Sequence, residues 1–242
     1  AYYEAGFHNL LVASVRQRYE KEAVKTALSI LGEGQLSLSK CVILVDPEVN
    51  VRDFSAVLRA LGDHFNPEED FILLPGTAQD TLDFTGPRIN RGSKMILDAT
   101  SKNKTSGIKS NGLNSPQPKI SDPTVLNWRT WEESLFVART RSEGKSLLRK
   151  LLAMPDLKDF KMIAVVSEDV PLENNVLLLW GIFTRFDCER DVLFGDSKLD
   201  GIKPVYSGPL GIDATWKNHY PKPVEMTPEV AKQVKLRWKE YG

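Results

Sequence analysis

The sequence lacks the features that mark several large classes of protein. Its 242 residues include only two cysteines, Cys41 and Cys188, too few for a disulfide-stapled scaffold. We therefore expect reduced core thiols in a cytoplasmic protein. The longest apolar run, Val176 to Phe183, is too short to cross a bilayer, and the first residues predict no signal peptide. Since an initiator methionine is also missing, we expect a piece of a longer polypeptide.

Charge excess and the familiar site motifs are missing as well. The 32 basic and 32 acidic residues balance, which argues against a general nucleic-acid or anionic-membrane surface. No glycine-rich phosphate loop of known spacing and no nucleophile elbow occurs. The three histidines (His8, His64 and His219) are far apart and lack metal-ligand spacing with the cysteines. We therefore predict no catalytic residue and no metal site in this segment.

An internal repeat is the strongest feature that is present. The stretch 40–102, which begins KCVILVDPEV, is followed by a similar stretch 161–217, which begins KMIAVVSEDV. Five pairs are 121 positions apart (161 − 40), namely Lys40 and Lys161, Glu48 and Asp169, Leu61 and Ile182, Phe65 and Phe186, Asp70 and Asp191. Leu82-Asp83 then aligns with Leu199-Asp200, and Asp98-Ala99-Thr100 with Asp213-Ala214-Thr215. We interpret the match as a duplication; a shared α/β pattern without duplication is the alternative.

The alternation of strand-like and helix-like segments predicts the fold class. Continuous apolar runs such as Cys41–Val45 and 163–166 are typical of strands buried on both faces of a parallel sheet. Apolar residues recur at helical spacing in between. We predict an α/β protein of two similar layered units, each with a parallel or mixed sheet flanked by helices. The expected division is a first domain at 1–104, a linker or long loop at 105–125, and a second, diverged copy at 126–242 with a C-terminal helix.

Two of the predicted helices carry specific expectations. The helix from Val176 to Phe186 is apolar nearly all round, so we expect it to be more covered than its counterpart after Asp53. The C-terminal helix, which Thr227 is placed to cap, repeats Val230, Val234 and Trp238 at four-residue spacing. This last stripe suits either core packing or a contact between subunits.

Two places are candidates for chemistry. Lys94 follows the glycine-rich loop 86–93 at the mouth of a predicted strand, where a cation can pair with a phosphate; a solvated lysine beside a turn is the alternative. Asp98 with Lys102 is matched by Asp213 with Lys217. For these pairs we expect an aspartate that holds a turn and a lysine in water, because repetition in both copies favours architecture over catalysis. Lys102, Lys104 and Lys109 are likewise expected in water.

Several stretches resemble one known family. GFHNLLVASVRQRY, SKCVILVDPEVNVRDF, LDFTGP and GSKMILDATSK, all within residues 1–104, are similar to the C-terminal part of the UbiD-family decarboxylases. WGIFTRFDCERD, in the second copy, resembles the same family's helix-to-strand turn. The tandem second copy departs from common members, which end soon after one D-A-T-x-K motif. Longer members, some of them associated with menaquinone formation, are a better match.

The resemblance implies a function for the complete protein. Family members are carboxy-lyases of aromatic or α,β-unsaturated acids, including quinone precursors, and use prenylated FMN with a divalent metal (Mn or Mg). Their metal ligands and acid–base residues lie in an upstream domain, so this segment would contribute closure of the active site and contacts between subunits. By this resemblance Lys94 is the one candidate contact to the flavin phosphate, and we expect the segment alone to bind no cofactor and to be inactive.

Two other functions remain open from the sequence. The pair of units could be purely an assembly module that mediates a homo-oligomer or binds a different protein partner. It could also be a stand-alone nucleotide-binding protein. The leading hypothesis remains the non-catalytic C-terminal region of a UbiD-like decarboxylase, partnered by its own upstream catalytic domain.

Overall fold

The computed structural model describes residues 1–101, 117–221 and 226–240, and it contains two α/β units. The elements of the first unit are β1 (Leu10–Ser14), α1 (Glu22–Leu31), β2 (Cys41–Val45), α2 (Phe54–His64), α3 (Pro67–Asp70), β3 (Phe71–Ala78) and β4 (Arg91–Ala99). Its sheet has the order β1-β2-β4-β3. The first three of these strands are parallel, and β3 runs antiparallel at the edge.

The second unit repeats this arrangement and adds one strand. Its elements are β5 (Val125–Trp131), β6 (Leu135–Thr140), α4 (Gly144–Leu152), β7 (Met162–Ser167), α5 (Asn175–Phe183), β8 (Val192–Asp200) and β9 (Lys203–Ala214). The sheet order β5-β6-β7-β9-β8 contains the first unit's order, with β5 added antiparallel to β6. The predicted class of two similar α/β units with mixed sheets is confirmed.

The D-A-T triplets occupy equivalent places in the two sheets. Asp98 lies in β4 opposite Leu44 of β2, and Asp213 lies in β9 opposite Val165 of β7. Each aspartate side chain accepts hydrogen bonds from the backbone N–H and the hydroxyl of the threonine two residues later. Their predicted role in holding a turn is confirmed. The prediction that Lys217 lies in water is wrong. Its ammonium donates to the carbonyls of Asp213 and Arg185, and its side chain is 16% exposed.

Alternation along the strands divides the apolar residues among three cores. The inward residues of both sheets, together with α2 and α5, form a single core that the two units share. On the outer face of the first sheet, Ala23 and Ala27 of α1 cover β2 and its neighbours. On the outer face of the second sheet, Leu147, Leu148 and Leu151 of α4 do the same. Each unit therefore completes the burial of the other.

The units contact each other through equivalent residues. The Lys40 ammonium donates to the carbonyl of Phe186 at 3.0 Å, and the Lys161 ammonium donates to the carbonyl of Phe65 at 3.2 Å. Phe65 is the C-cap of α2, and Phe186 lies just beyond the end of α5. The last carbonyls of a helix lack intrahelical donors and attract cations. Each unit thus places a lysine at the helix end of the other.

Three regions differ from the sequence expectation or lie outside the described residues. Strand β5 was not predicted. Strands β8 and β9 continue as an exposed hairpin to a turn at Gly201-Ile202, well past the short apolar runs that predicted them. Residues 102–116, which include Lys102, Lys104, Lys109 and the first part of the linker predicted at 105–125, lie outside the described residues. Beyond them, Ile120 packs on the second unit's outer core.

Two helices, α5 and α6 (Pro228–Arg237), have exposed apolar residues. On α5, Val176, Leu177 and Trp180 are each about half exposed, whereas Arg59 is the one exposed residue of α2. The expectation that α5 is more covered than its counterpart in the first unit is therefore wrong. The sheet and the first unit cover only one side of this helix. Helix α6 has no buried residue, which excludes core packing for its apolar stripe within the described part of the chain.

Gly181 generates a testable prediction about this packing. A Cβ atom there would lie 2.6 Å from Cγ1 and 2.7 Å from Cγ2 of Val170. We expect Gly181→Ala to lower the free energy of unfolding by about 1–3 kcal/mol through overpacking. Urea denaturation measures the change. Adding Val170→Ala should recover part of the loss; equal stability of the single and double variants would contradict the steric explanation.

Candidate functional site

A buried polar cluster lies at the ends of β2 and β4 where the two units meet. Lys40 precedes β2, and Ser93 and Lys94 lie in β4 beside it. The loop 79–90, which joins β3 to β4, covers these residues from one side. The turn 186–190 of the second unit covers them from the other. The cluster therefore needs both units to form.

The centre of this cluster is an ion pair. The Lys40 ammonium lies 2.9 Å from the Asp83 carboxylate, and the two side chains are 0% and 3% exposed. Burial alone would raise the pKa of Asp83, but the charge of Lys40 and hydrogen bonds from Thr85 lower it below its ordinary value. The ammonium also lies over the Phe186 ring, 4.8 Å from its centroid. Lys40 thus joins the loop of the first unit to the turn of the second.

Lys94, the one site residue predicted for cofactor binding, is 3% exposed. Its ammonium donates to the carbonyl of Ser39 at 3.1 Å and faces the side-chain oxygen of Gln79 at 3.5 Å. Burial lowers the pKa of Lys94 to about 8. The alternative of a solvated lysine is excluded. The residues around this ammonium do not form an open phosphate cradle, so a flavin-phosphate contact stays a prediction that requires the loop 79–90 to move aside.

His8 belongs to the same cluster. Its Nδ1 is hydrogen-bonded to the Asp80 carboxylate, and its backbone carbonyl accepts from the Lys40 N–H. The His8 Nε2 atom and the Ser39 hydroxyl are buried without a hydrogen-bond partner in the described residues. Buried polar groups normally find partners, so these two atoms mark the less completely satisfied side of the cluster.

The second unit contributes an ordered turn after α5. The Asp187 carboxylate accepts from the Ser93 hydroxyl at 2.8 Å and from the backbone N–H groups of Glu189 and Arg190. Cys188 and Cys41 are both buried and free, in agreement with the prediction of reduced core thiols. Burial raises the pKa of Cys41 to about 12 and that of Cys188 well above its ordinary value. These thiols are therefore weak nucleophiles.

A cavity of about 660 Å³ opens beside this turn. It is lined by both units, through Gly76, Pro87, Arg88, Arg91, Gly92, Asp187, Glu189 and Arg190. The Arg190 guanidinium is held by Asp191 and by the carbonyl of Thr85. Three arginines and two acidic residues thus give the lining both signs of charge.

The chemistry open to the cluster is limited. Among the described residues, no group of three or more His, Cys, Asp and Glu side chains is placed to hold a metal ion. Lys40 and Asp83 are paired with each other, and the Lys94 ammonium is bound to uncharged groups within the cluster. The arrangement is suited to fixing two units and a loop in register.

Sequence reasoning missed most of this cluster. Lys40 was recognised only as the start of the repeat, and Asp83 was aligned with Asp200, which lies exposed at the end of β8. That alignment is wrong because the β3–β4 connection is a long loop in the first unit and a tight turn in the second. One signal was available: a lysine precedes the buried strand in both copies, where an apolar residue would be expected.

The ion pair generates a prediction about stability. Lys40→Met leaves the buried Asp83 carboxylate unpaired, which should cost about 3–5 kcal/mol of unfolding free energy. The matched control is Lys161→Met, which removes one hydrogen bond to Phe65 and should cost about 1 kcal/mol. Urea denaturation compares the two variants. Equal losses in the two variants would show that the Lys40–Asp83 pair contributes no more to stability than the single hydrogen bond of Lys161.

The lowered pKa of Lys94 generates a prediction about pH. Between about pH 8 and its ordinary value of 10.5, the unfolded chain binds more protons at this lysine than the folded chain. This contribution to folded stability therefore rises with pH across that interval, and Lys94→Met removes it. We expect urea denaturation to show the stability difference shifting in favour of the wild type from pH 8 to pH 10. Other titrating groups are common to both proteins; a pH-independent difference would contradict the shift.

Comparison with known proteins identifies the family. The family model of the 3-octaprenyl-4-hydroxybenzoate carboxy-lyase C-terminal domain, UbiD_C, matches residues 1–99 and 125–214. A protein from Chlamydia pneumoniae, named as one subunit of a 4-hydroxybenzoate decarboxylase, is 36% identical over 250 residues, which is 100% of this chain and 40% of that protein. An uncharacterized protein from Chlamydia caviae is 35% identical with the same coverage. The chain thus spans about 40% of the length of these curated relatives.

Solved structures with similarity to part of the chain include two decarboxylase-class proteins. Vanillic acid decarboxylase from Sedimentibacter hydroxybenzoicus, in open form, has 24% identity and a TM-score of 0.39, covering 45% of this chain and 24% of that one. The UbiD-class enzyme HmfF from Pelotomaculum thermopropionicum, in complex with FMN, has 24% identity and a TM-score of 0.36, covering 47% and 23%. Since the family model matches well over half of the sequence, the chain belongs to the UbiD carboxy-lyase C-terminal domain family.

Proposed function

We propose that this chain is the non-catalytic C-terminal part of a UbiD-like carboxy-lyase that decarboxylates an aromatic or α,β-unsaturated acid, such as a quinone precursor. The observation that carries the proposal is the family match to both sets of strands, residues 1–99 and 125–214. The curated relatives are longer than the chain, which leaves room in them for a catalytic domain. That upstream domain would be the chain's partner in a cytoplasmic, homo-oligomeric enzyme.

The proposed cofactor is prenylated FMN with a divalent metal, Mn or Mg, held by the upstream domain. When bound, the prenylated flavin supplies the electron sink for loss of carbon dioxide. The described residues of this chain would supply closure. The paired charges of Lys40 and Asp83 and the Ser93–Asp187 hydrogen bond hold the loop 79–90 and the second unit's turn in one place. In this proposal Lys94 reaches the flavin phosphate only when that loop moves aside.

We further propose that the two units arose by duplication and act as a covalently joined pair. The common strand order, the equivalent D-A-T positions and the reciprocal contacts of Lys40 and Lys161 support this. The boundaries proposed for the copies remain 1–104 and 126–242. Because the copies share one core, cutting the second from the first would expose apolar residues of both.

A second candidate function, an assembly module without a pocket role, is favoured by a different observation. The exposed apolar residues of α5 and α6 are not members of the buried cluster, and their exposure suits a contact between subunits. The two candidates differ in what Lys94 does. A pocket role requires that it affect the flavin, whereas an assembly role does not.

The test uses the complete protein loaded with prenylated FMN and Mn²⁺. We expect carbon dioxide release from aromatic or unsaturated acids, none from the present chain alone, and at least ~10-fold weaker flavin binding for Lys94→Ala, because a charge-assisted phosphate contact contributes about 1.5–3 kcal/mol. Flavin fluorescence titration measures the binding. Lys198→Ala, in the exposed hairpin, is the control expected to leave binding unchanged.

Three results would count against parts of the proposal. Decarboxylation by the chain alone would overturn the non-catalytic role. An inactive complete protein, tested with a broad set of aromatic and unsaturated acids, would overturn the carboxy-lyase assignment. Full flavin affinity in a folded Lys94→Ala variant would leave the assembly role as the better account of this segment.

A further inference from the structure

The cavity between the two units has room for a small molecule. Its volume of about 660 Å³ falls in the range of about 300–1,000 Å³ that is usual for small-molecule sites. Arg91 of the lining and Ser93 are two positions apart in β4, so they share one face of the sheet. Lys94 lies on the other face, which separates this cavity from the lysine proposed to contact the flavin phosphate.

A tight turn places two arginines side by side in the wall of the cavity. The Arg91 N–H donates to the Arg88 carbonyl at 3.1 Å, and the two residues form an antiparallel bridge. Asn90, within the turn, has φ +60°, a left-handed value that asparagine tolerates. Residues directly opposite each other in an antiparallel pair carry their side chains on the same side, with Cβ atoms about 5 Å apart. The turn therefore holds two guanidinium groups on one side, and both residues line the cavity.

The charges of these two arginines are not compensated within the described part of the chain. Neither Arg88 nor Arg91 has a hydrogen-bond or ion-pair partner for its guanidinium there. Like charges directly opposite each other destabilise a strand pair. The third arginine of the lining differs, because Arg190 is bound by Asp191 and by the Tyr220 hydroxyl. Two positive charges thus remain at the turn, and an anion from outside the chain would offset them.

The second unit shows that the strand arrangement does not require an arginine here. In the register that aligns the two D-A-T triplets, Arg91 aligns with Tyr206. The Tyr206 ring stacks on Phe194, with 4.4 Å between ring centroids, and also contacts the edge of Phe71. One unit therefore fills this position with a packed aromatic ring, whereas the other presents an unpaired cation to a cavity.

A glycine leaves space beside the Arg91 guanidinium. Gly76 lies in the irregular part of the β3–β4 pairing and has φ +63°, a conformation that favours glycine. A Cβ atom there would lie 3.5 Å from Nη2 of Arg91, so the guanidinium lies against the β3 backbone. Any larger side chain at this position would occupy the space that a ligand needs.

The acidic residues of the lining have different roles. The Asp187 carboxylate is already engaged by the Ser93 hydroxyl and by two backbone N–H groups. Glu189 lines the cavity from the second unit, and its carboxylate has no partner among the described residues. The cavity thus offers two free cations from one unit and one free hydrogen-bond acceptor from the other.

The geometry points to a phosphorylated small molecule, and we propose that Arg88 and Arg91 bind its phosphate while Glu189 accepts hydrogen bonds from its hydroxyl groups. A phosphomonoester carries about −1.5 to −2 charges at neutral pH, which matches two free guanidinium groups better than a monocarboxylate does. The planar fork of arginine suits phosphate oxygens. A free carboxylate opposes a bare polyanion and favours a ligand that also carries donors. The proposal does not rest on the carboxy-lyase assignment, whose acids carry a carboxylate.

Isothermal titration calorimetry of the 242-residue chain tests the proposal. The probes are three phosphomonoesters (glucose 6-phosphate, glycerol 3-phosphate and AMP), inorganic phosphate, and benzoate as a monocarboxylate. We expect at least one phosphomonoester to bind at one site with a Kd below roughly 1 mM. Inorganic phosphate should bind at least ~10-fold more weakly, because it offers no hydroxyl group to Glu189. Benzoate should give no binding heat at the same concentrations.

Three variants locate the site. Arg88→Gln with Arg91→Gln should raise the Kd of the phosphomonoester by a factor on the order of 100, because two charge-assisted contacts are lost. Arg52→Gln is the matched control, since it removes an exposed arginine from the turn before α2 and should leave the Kd unchanged. Glu189→Gln should reduce the preference for the phosphomonoester over inorganic phosphate. Far-ultraviolet circular dichroism reports whether each variant still folds.

Several outcomes would overturn the proposal. One is the failure of all three phosphomonoesters to bind at ~10 mM, well above the Kd expected of a specific site. Unchanged affinity in the folded double variant, or an equal loss in Arg52→Gln, would exclude the two arginines as a specific site. Benzoate binding that the double variant abolishes would assign the cavity to carboxylates instead. An unchanged preference in Glu189→Gln would remove the role given to that carboxylate. None of these readouts involves flavin or turnover, so the carboxy-lyase assignment stands or falls separately.

Discussion

The two units of this protein share one apolar core, and reciprocal lysine contacts join them. The inner faces of both sheets share one core with α2 and α5, so neither unit could bury the apolar residues of its inner face alone. Lys40 and Lys161 then place ammonium groups on the carbonyls at the helix ends of the opposite unit. A buried cation is tolerated only with partners, and these carbonyls supply them in one relative placement of the units. The core provides the attraction and the lysines specify the geometry.

The buried polar cluster breaks this symmetry. Ser93 and Lys94 in the first unit align with Gly208 and Pro209 in the second, which have no side-chain donors. Asp83 likewise has no counterpart, because the tight turn of the second unit has no room for a loop that folds back. The strand arrangement that both units share therefore carries the charged cluster only in the first unit, among the described residues. The two units therefore share a strand arrangement but differ in polar content, with the buried cluster built on the first unit's strands.

Much of the fold could be predicted because it follows from local pattern. Continuous apolar runs located the buried parallel strands, and the four-residue recurrence of apolar residues located the helices. Strand β5 escaped because its residues VLNWRTW are only partly buried and follow a segment of loop-like composition. The outer parts of β8 and β9 were not predicted, because glycine, proline and charged residues interrupt their apolar runs. Hydrogen bonds between the two strands hold these parts in the sheet instead. The exposure of α5 could not be predicted because apolar composition does not say how many neighbours a helix has.

The sequence by itself determined the α/β class, the repeat, the turn role of Asp98 and Asp213, and the family. Each of these properties follows from residue types at short spacing or from several motifs that occur in a fixed order along the chain. Only the tertiary structure decided that Lys94 is buried, that Lys40 pairs with Asp83, and that Lys217 binds two carbonyls. The reason is physical: a lysine side chain is long and flexible, and whether it ends in water or on a distant partner depends on which surfaces the fold brings together. Here the second unit supplies the surface that covers Lys94. The Asp187 carboxylate of that unit accepts a hydrogen bond from Ser93, which precedes Lys94 and is distant from Asp187 in sequence.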